Sequence, residues 1–349
     1  MPATRRRAPR WRRRDERRPA APKALAPAVR STEGFDSARR PAAPKALAPA
    51  VRSTEGFAVS FSARLGIGFM RALAHLPLPV VRGLGAALGP VLHALAKPRR
   101  HVVDVNLALC FPEKTPEERR RIARQTFVYV AQAWFDRAWL WHARAEVIRQ
   151  RVTLKGALDE IDVGEQPTIL FAPHFYGLDA AATRLTMHTP KQSTTIYTTQ
   201  RDPVMDEWTR EGRTRFGNVT VLHRMDGVKQ IVANLRRGGL LYLLPDMDFG
   251  PAHTEFVPFF HTLAATTPSL SRFSRLARAK VVPVLSRLTK DGYEIEVLPS
   301  WQDFPTHDAI ADTARMNAQL AEWIRTMPAQ YYWVHRRFKT RPPGEPSVY

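Results

Sequence analysis

A chain of 349 residues has room for one large domain with a tail or for two modest ones, since a single hydrophobic core stops growing at about 250–300 residues. Its formal charge of +21 divides between residues 1–57, with 15 Lys and Arg against 5 Asp and Glu, and the rest, with 38 against 27, so the body is basic without its tail. Anionic partners are therefore expected, whether nucleic acid, an acidic membrane or a phosphorylated substrate with an acidic carrier, while the single cysteine, Cys110, excludes an intrachain disulfide and thiolate-built metal sites.

Residues 1–57 hold a perfect repeat: Arg17 to Phe35 recurs as Arg39 to Phe57. Rich in Pro, Ala and Arg, each copy lacks the large apolar side chains of a core and is expected to be disordered. A duplication that adds a dispensable tail and an electrostatic tether to an anionic leaflet are both consistent with it. No continuous apolar stretch follows the first arginines, so a cleavable signal peptide is not expected.

Residues 58–97 turn apolar, with Phe61, Leu65, Phe69, Leu73, Val80, Leu84, Leu88 and Leu92, interrupted by Pro77, Pro79 and Pro90 and by Arg64, Arg71 and Arg82. A spanning helix needs about 20 mostly apolar residues. The segment reads as two amphipathic helices in a membrane interface, their arginines towards headgroups; helices capping a soluble core are the alternative. Thr115-Pro116-Glu117-Glu118 is a capping box that opens a helix to about His142, with Phe127, Val130, Trp134, Phe135, Ala138 and Leu140 inward.

Beyond it, strands expected at 168–172, 194–198, 219–222, 240–244, 281–286 and 293–298 alternate with helices at 177–188, 203–216, 226–237, 268–279 and 308–327. That alternation predicts an α/β fold, a largely parallel sheet between helices, with functional residues at the carboxyl ends of strands. Residues 98–342 form the expected catalytic domain and 343–349 a short tail. Cys110, before Phe111-Pro112, reads as a packed core residue.

The segment Phe171-Ala-Pro-His174-Phe-Tyr-Gly-Leu-Asp179 places an imidazole and a carboxylate five positions apart behind an apolar strand. On one helix they would point about 140° apart. With His174 in the turn and Asp179 in the helix's first turn they can meet, the carboxylate holding one ring nitrogen and leaving the other to take a proton from a hydroxyl. A loop histidine that merely caps a helix is the plainer alternative.

Further segments accompany this pair: Asn106-Leu-Ala-Leu-Cys110-Phe-Pro-Glu113, Tyr242-Leu-Leu-Pro-Asp246-Met-Asp248-Phe-Gly250, Phe256-Val-Pro-Phe-Phe260, Ala264-Ala-Thr-Thr-Pro268 and Tyr332-Trp-Val-His335-Arg-Arg-Phe-Lys339. In this order, from about Phe61 to Pro342, the chain resembles the late acyltransferases of lipid A biosynthesis, the lauroyl/myristoyl transferase family. The resemblance implies a glycerolipid acyltransferase-like fold with N-terminal membrane-associated helices. It implies transfer of a fatty acyl chain from acyl carrier protein to a hydroxyl of a phosphorylated, Kdo-bearing glycolipid, at the cytoplasmic face of a bacterial inner membrane. His174 would be the general base and Asp179 its partner; no cofactor and no metal are expected.

No Gly-x-Ser-x-Gly elbow occurs, so direct attack by the acceptor is the simplest scheme. Arg213, shortly before Phe216-Gly217, matches the family pattern and offers a forked guanidinium to phosphate or to the developing oxyanion. Asp246 and Asp248 are expected at the substrate site, with Met247 where relatives often have Gln; a turn with an N-cap is the alternative. Phe256 to Phe260 would line an apolar wall for the acyl chain, and Trp333, His335, Arg336, Arg337 and Lys339 a basic edge for headgroups. A different lipid acceptor is the nearest rival. A non-enzymatic binder of anionic lipid or nucleic acid explains the charge but not the His/Asp arrangement, and no nucleic-acid-binding signature accompanies it.

Overall fold

The computed structural model describes residues 54–162, 164–223 and 227–349. The first copy of the repeat and all but the end of the second lie outside them, and the last four residues, Thr54 to Phe57, expected to be disordered, open helix α1 instead. Helices α1 (Thr54–Leu73), α2 (Leu78–Leu95), α3 (Lys97–Cys110) and α4 (Pro116–His142) come first. Then α5 (Ala145–Arg151), β1 (Val152–Gly156) and α6 (Asp159–Asp162) lead into β2 (Thr168–Phe171), α7 (Leu178–Thr186), β3 (Ser193–Tyr197), α8 (Pro203–Arg213), β4 (Val219–His223), α9 (Val228–Arg236) and β5 (Leu240–Leu243). The hairpin β6 (Glu255–Phe259) and β7 (Thr262–Thr266) precedes α10 (Ser269–Ala277), β8 (Lys280–Thr289), β9 (Gly292–Val297) and α11 (Ala309–Thr326).

Seven strands form one sheet in the order β1-β9-β8-β2-β5-β3-β4, every neighbouring pair parallel except β8 with β9. The expected α/β architecture is therefore present. The hairpin β6–β7 and the first strand, β1, were not anticipated: β1 is mostly exposed and polar, and the hairpin carries Pro258 inside a strand.

Alternating strand residues feed two cores. Ile169, Phe171, Leu241 and Leu243 pack with α9, α10 and α11 on one side of the sheet. Leu170, Leu240 and Tyr242 pack with α1, α7, Trp208 of α8 and the carboxyl half of α4 on the other.

Thr115 caps α4 as expected, its hydroxyl accepting from Glu118 N while the Glu118 carboxylate accepts from Thr115 N. Two glycines bring α2 close to α4: a Cβ on Gly85 would stand 2.8 Å from the Gln132 Cα, and one on Gly89 2.6 Å from the Val128 Cα. Of the α4 side chains expected inward, Trp134 instead lies half-exposed beneath the Arg137 guanidinium, 4.8 Å from its ring centre.

Arg82 does not reach for headgroups. It is buried, pairs with Asp136 of α4 at 3.0 Å and donates to the Thr289 and Gly292 carbonyls at the tip of the β8–β9 hairpin. Asp136 also accepts from Trp139 Nε1 and the Tyr293 hydroxyl. This network fastens α2 to the sheet. Phe61, Leu65 and Phe69 on α1 and Val80, Leu84, Val91 and Leu95 on α2 nevertheless stay exposed, at helical spacings that gather them on one side of each helix. By length and composition α2 alone among the described helices could cross a membrane.

Candidate active site

His174 and Asp246 meet because β2 and β5 lie side by side in parallel, so the loops leaving their carboxyl ends are neighbours. The ladder ends where Ala172 N donates to the Leu243 carbonyl. Pro173 stops the strand, Phe175 N turns back onto the Pro173 carbonyl, and Tyr332 N donates to the His174 carbonyl, clamping the loop from its far side.

Asp246 then holds His174 twice. Its Oδ2 accepts from the His174 backbone N–H at 3.0 Å, and its Oδ1 lies 2.7 Å from the ring Nδ1. Asp246 is fully buried, which pushes its carboxyl up, but the His174 charge and these two hydrogen bonds outweigh burial and hold it below the usual carboxylate range. An ionised carboxylate fixes the proton on Nδ1 and leaves Nε2 as the acceptor. The imidazole borders a cavity of about 740 Å³, and Tyr332, exposed beside it, stacks at 6.2 Å between ring centres.

The expected pairing of His174 with Asp179 is thus not the one formed. Asp179 sits in the first turn of α7 and turns to other elements: its Oδ2 accepts from Arg137 Nε at 2.9 Å and its Oδ1 from Arg213 Nη2 at 3.2 Å. Burial raises its carboxyl, and the two guanidiniums more than reverse that, so it too is held low. Asp179 and Arg213 both border the cavity. Gly177 serves by its smallness, since its φ is −81° and a Cβ there would meet the Ser286 Cβ at 2.8 Å.

Asp246 and Asp248 do not share a face. Strand β5 ends at Leu243, and in the loop beyond it the Asp248 carboxylate turns away to accept from Thr340 N, the Thr340 hydroxyl and Gly250 N. Met247 between them is buried against the cavity. The apolar wall comes from Leu178, Ile196, Ile231, Leu243 and Phe273, not from the Phe256 to Phe260 block, whose Phe259 is buried in the core against Tyr331 and Phe338.

The expected basic edge is only partly one. Trp333 is buried, and Arg337 is buried with its guanidinium on the Ala265 carbonyl and the Thr266 hydroxyl; Arg336 and Lys339 are exposed. His335 accepts from Asp248 N through Nε2, and burial first, then Arg337, His174 and Lys339, push it down to about 4. Cys110 is a buried core residue whose thiol burial pushes up.

Sequence reasoning missed the role of Asp246 on the ring, Arg137 and Tyr332. The first was within reach, since His174 and Asp246 both follow short apolar strands; Arg137, 42 positions before Asp179 on another helix, carries no local signal.

A parallel sheet with a histidine and a carboxylate on adjacent strand ends, beside an apolar cavity with an arginine on its wall, suits chemistry on a hydroxyl or carbonyl of a long apolar substrate. The family model for bacterial lipid A biosynthesis acyltransferases matches residues 54–340. The chain is 34% identical to the lipid A biosynthesis lauroyltransferase of Escherichia coli K12 over 82% of its own length and 94% of the relative's. It is 33% identical to the lipid A biosynthesis myristoyltransferase of the same organism, over 83% and 90%, and 29% identical to its palmitoleoyltransferase, over 81% and 93%. The chain belongs to the bacterial lipid A biosynthesis acyltransferases and is an acyltransferase of lipopolysaccharide synthesis.

Proposed function

We propose that the protein transfers a fatty acyl chain from acyl carrier protein to a hydroxyl of a Kdo-bearing lipid A precursor, with His174 as general base and Asp246 as the carboxylate that orients it. The observation that carries this reading is the doubly held imidazole at the cavity's edge. Nε2 takes the proton as the acceptor oxygen attacks the thioester carbonyl; the carbon–sulfur bond breaks, and the imidazolium returns its proton to the departing thiolate. Arg213, held by Asp179 beside Arg137, presents positive charge to acceptor phosphates or to the oxyanion. Asp248 acts from behind, anchoring the loop that carries Asp246.

The exposed apolar sides of α1 and α2 would lie in the cytoplasmic face of a bacterial inner membrane, with Arg64 and Arg71 towards headgroups. Because α2 is docked on α4 along Gly85 and Gly89 and inserts Arg82 into the protein, interfacial immersion suits it better than a span surrounded by lipid. Residues 98–342 would be the catalytic domain.

The purified chain, given acyl carrier donors and a lipid A precursor, should yield a product heavier by one acyl group. His174→Ala should lower transfer by about a hundred- to ten-thousandfold at unchanged melting temperature. A well-folded variant keeping more than about a tenth of wild-type transfer would rule out general-base catalysis by His174. An unchanged lipid A acyl count in a strain lacking the protein would point to another acceptor.

A further inference from the structure

The cavity beside His174 is lined from both sides of the sheet. Tyr242 packs towards α7 and α8, and Thr195, its partner in the ladder, takes the same side; Ile196 and Leu243 pack towards α9 and α10, and all four border it. A sheet normally separates its two sides. Here the separation fails at one place. The β3–β5 ladder ends at Thr195 with Tyr242, while β3 continues beside β4 to Tyr197 with His223, and β5 beside β2 to Phe171 with Leu243. The strands part because their connections leave in opposite directions: β3 runs on to α8 on one side, and β5 runs on through β6 and β7 to α10 on the other. Such a switch point opens a crevice at the carboxyl ends of the two strands.

We propose that the crevice holds two hydrocarbon chains together, the donor's acyl chain on the α9/α10 side and a chain of the lipid acceptor on the α7/α8 side. This deepens the acyl-transfer reading and rests on it. The lining chemistry divides accordingly. On the α9/α10 side Ile196, Ile231, Leu243 and Phe273 are accompanied, among the described residues, by no Lys, Arg, Asp or Glu, which suits a neutral thioester-linked chain. On the other side Asp179 and Arg213 lie on the wall shared with Ala182, Leu185 and Leu240, so an anionic lipid finds a guanidinium beside a greasy slot. Transfer requires hydroxyl and thioester to meet at one imidazole. Approach from opposite sides of the sheet allows that without the chains crossing.

The test uses the full chain with donors of graded length and a lipid A precursor. Ile231→Phe should move the donor optimum to shorter chains and Ile231→Ala to longer ones, with the acceptor KM within about twofold of wild type. Ala182→Leu should raise the acceptor KM by about tenfold or more and leave the donor optimum in place. A donor analogue with a photoreactive chain end should label α9 or α10, whether or not turnover occurs. Labelling of α7 or α8, exchange of the two variants' effects, or movement of the donor optimum by both would overturn the allotment. So would variants that melt like wild type and change neither parameter. Failure of the wild type to transfer, with labelling of α9 or α10 intact, would instead count against the acyl-transfer reading alone.

Discussion

Asp136 and Asp246 are buried carboxylates that each hold a basic side chain, and only the partner of Asp246 faces the cavity. Asp136 is sealed: Arg82, Trp139 and Tyr293 all donate to it, and the Arg82 guanidinium is spent on two carbonyls besides. Asp246 is equally buried, but the imidazole it holds is about a fifth exposed and borders the cavity. The ingredients of a staple and of the proposed catalytic dyad are nearly the same. What separates them is whether the partner retains an unused basic nitrogen facing a space that substrate can enter.

The largest effect is expected from Asp246→Asn. The amide no longer fixes the Nδ1–H tautomer, and activity should fall by up to about ten-thousandfold in initial rate, with a melting curve close to wild type. A loss below about tenfold would mean that Asp246 is structural, like Asp136. Arg82→Ala should do the converse. Leaving a buried carboxylate without its cation should cost about 3–5 kcal/mol in denaturant unfolding, while activity per folded molecule is kept. A stable but inactive Arg82→Ala would undo the division between staple and site.

The smaller expected effect is in pH dependence. His335 is held down at about 4 in the folded chain against 6.5 in the unfolded one, so the unfolded state binds the proton first on acidification. Its neutrality costs nothing above pH 6.5, and stability is lost as pH falls from there towards 4, by at most about 3 kcal/mol. His335→Gln keeps an acceptor for Asp248 N and should flatten the fall in melting temperature over that window. Asp179 and Asp246, held low, add stability that is present above their unfolded values and lost as pH drops below about 4. That loss should survive His335→Gln, which separates the two contributions.

Much of the fold was legible because helices and buried strands write themselves in periodicity and caps: Thr115 and Glu118, the apolar run before His174, the alternation that follows. The local neighbourhood of His174 was legible too, but not its partner. Asp179 is close in sequence, whereas the carboxylate that reaches the ring stands 72 positions away, just past the end of a strand made adjacent only by sheet order. Strand order depends on crossovers and helix packing, which no single segment encodes. For the same reason Arg137 was invisible, and Phe259 was assigned to a wall when the hairpin beneath α11 turns it inward.

The Arg82 anchor has a consequence for the proposed meeting of enzyme and lipid. A catalytic body riveted to α2 through a guanidinium has no swivel at that joint. If the exposed apolar sides of α1 and α2 lie in a bilayer as proposed, their depth would set the height and tilt of the crevice. On the proposed interfacial reading, headgroup packing around α1 and α2 would then bear on how the acceptor reaches the imidazole.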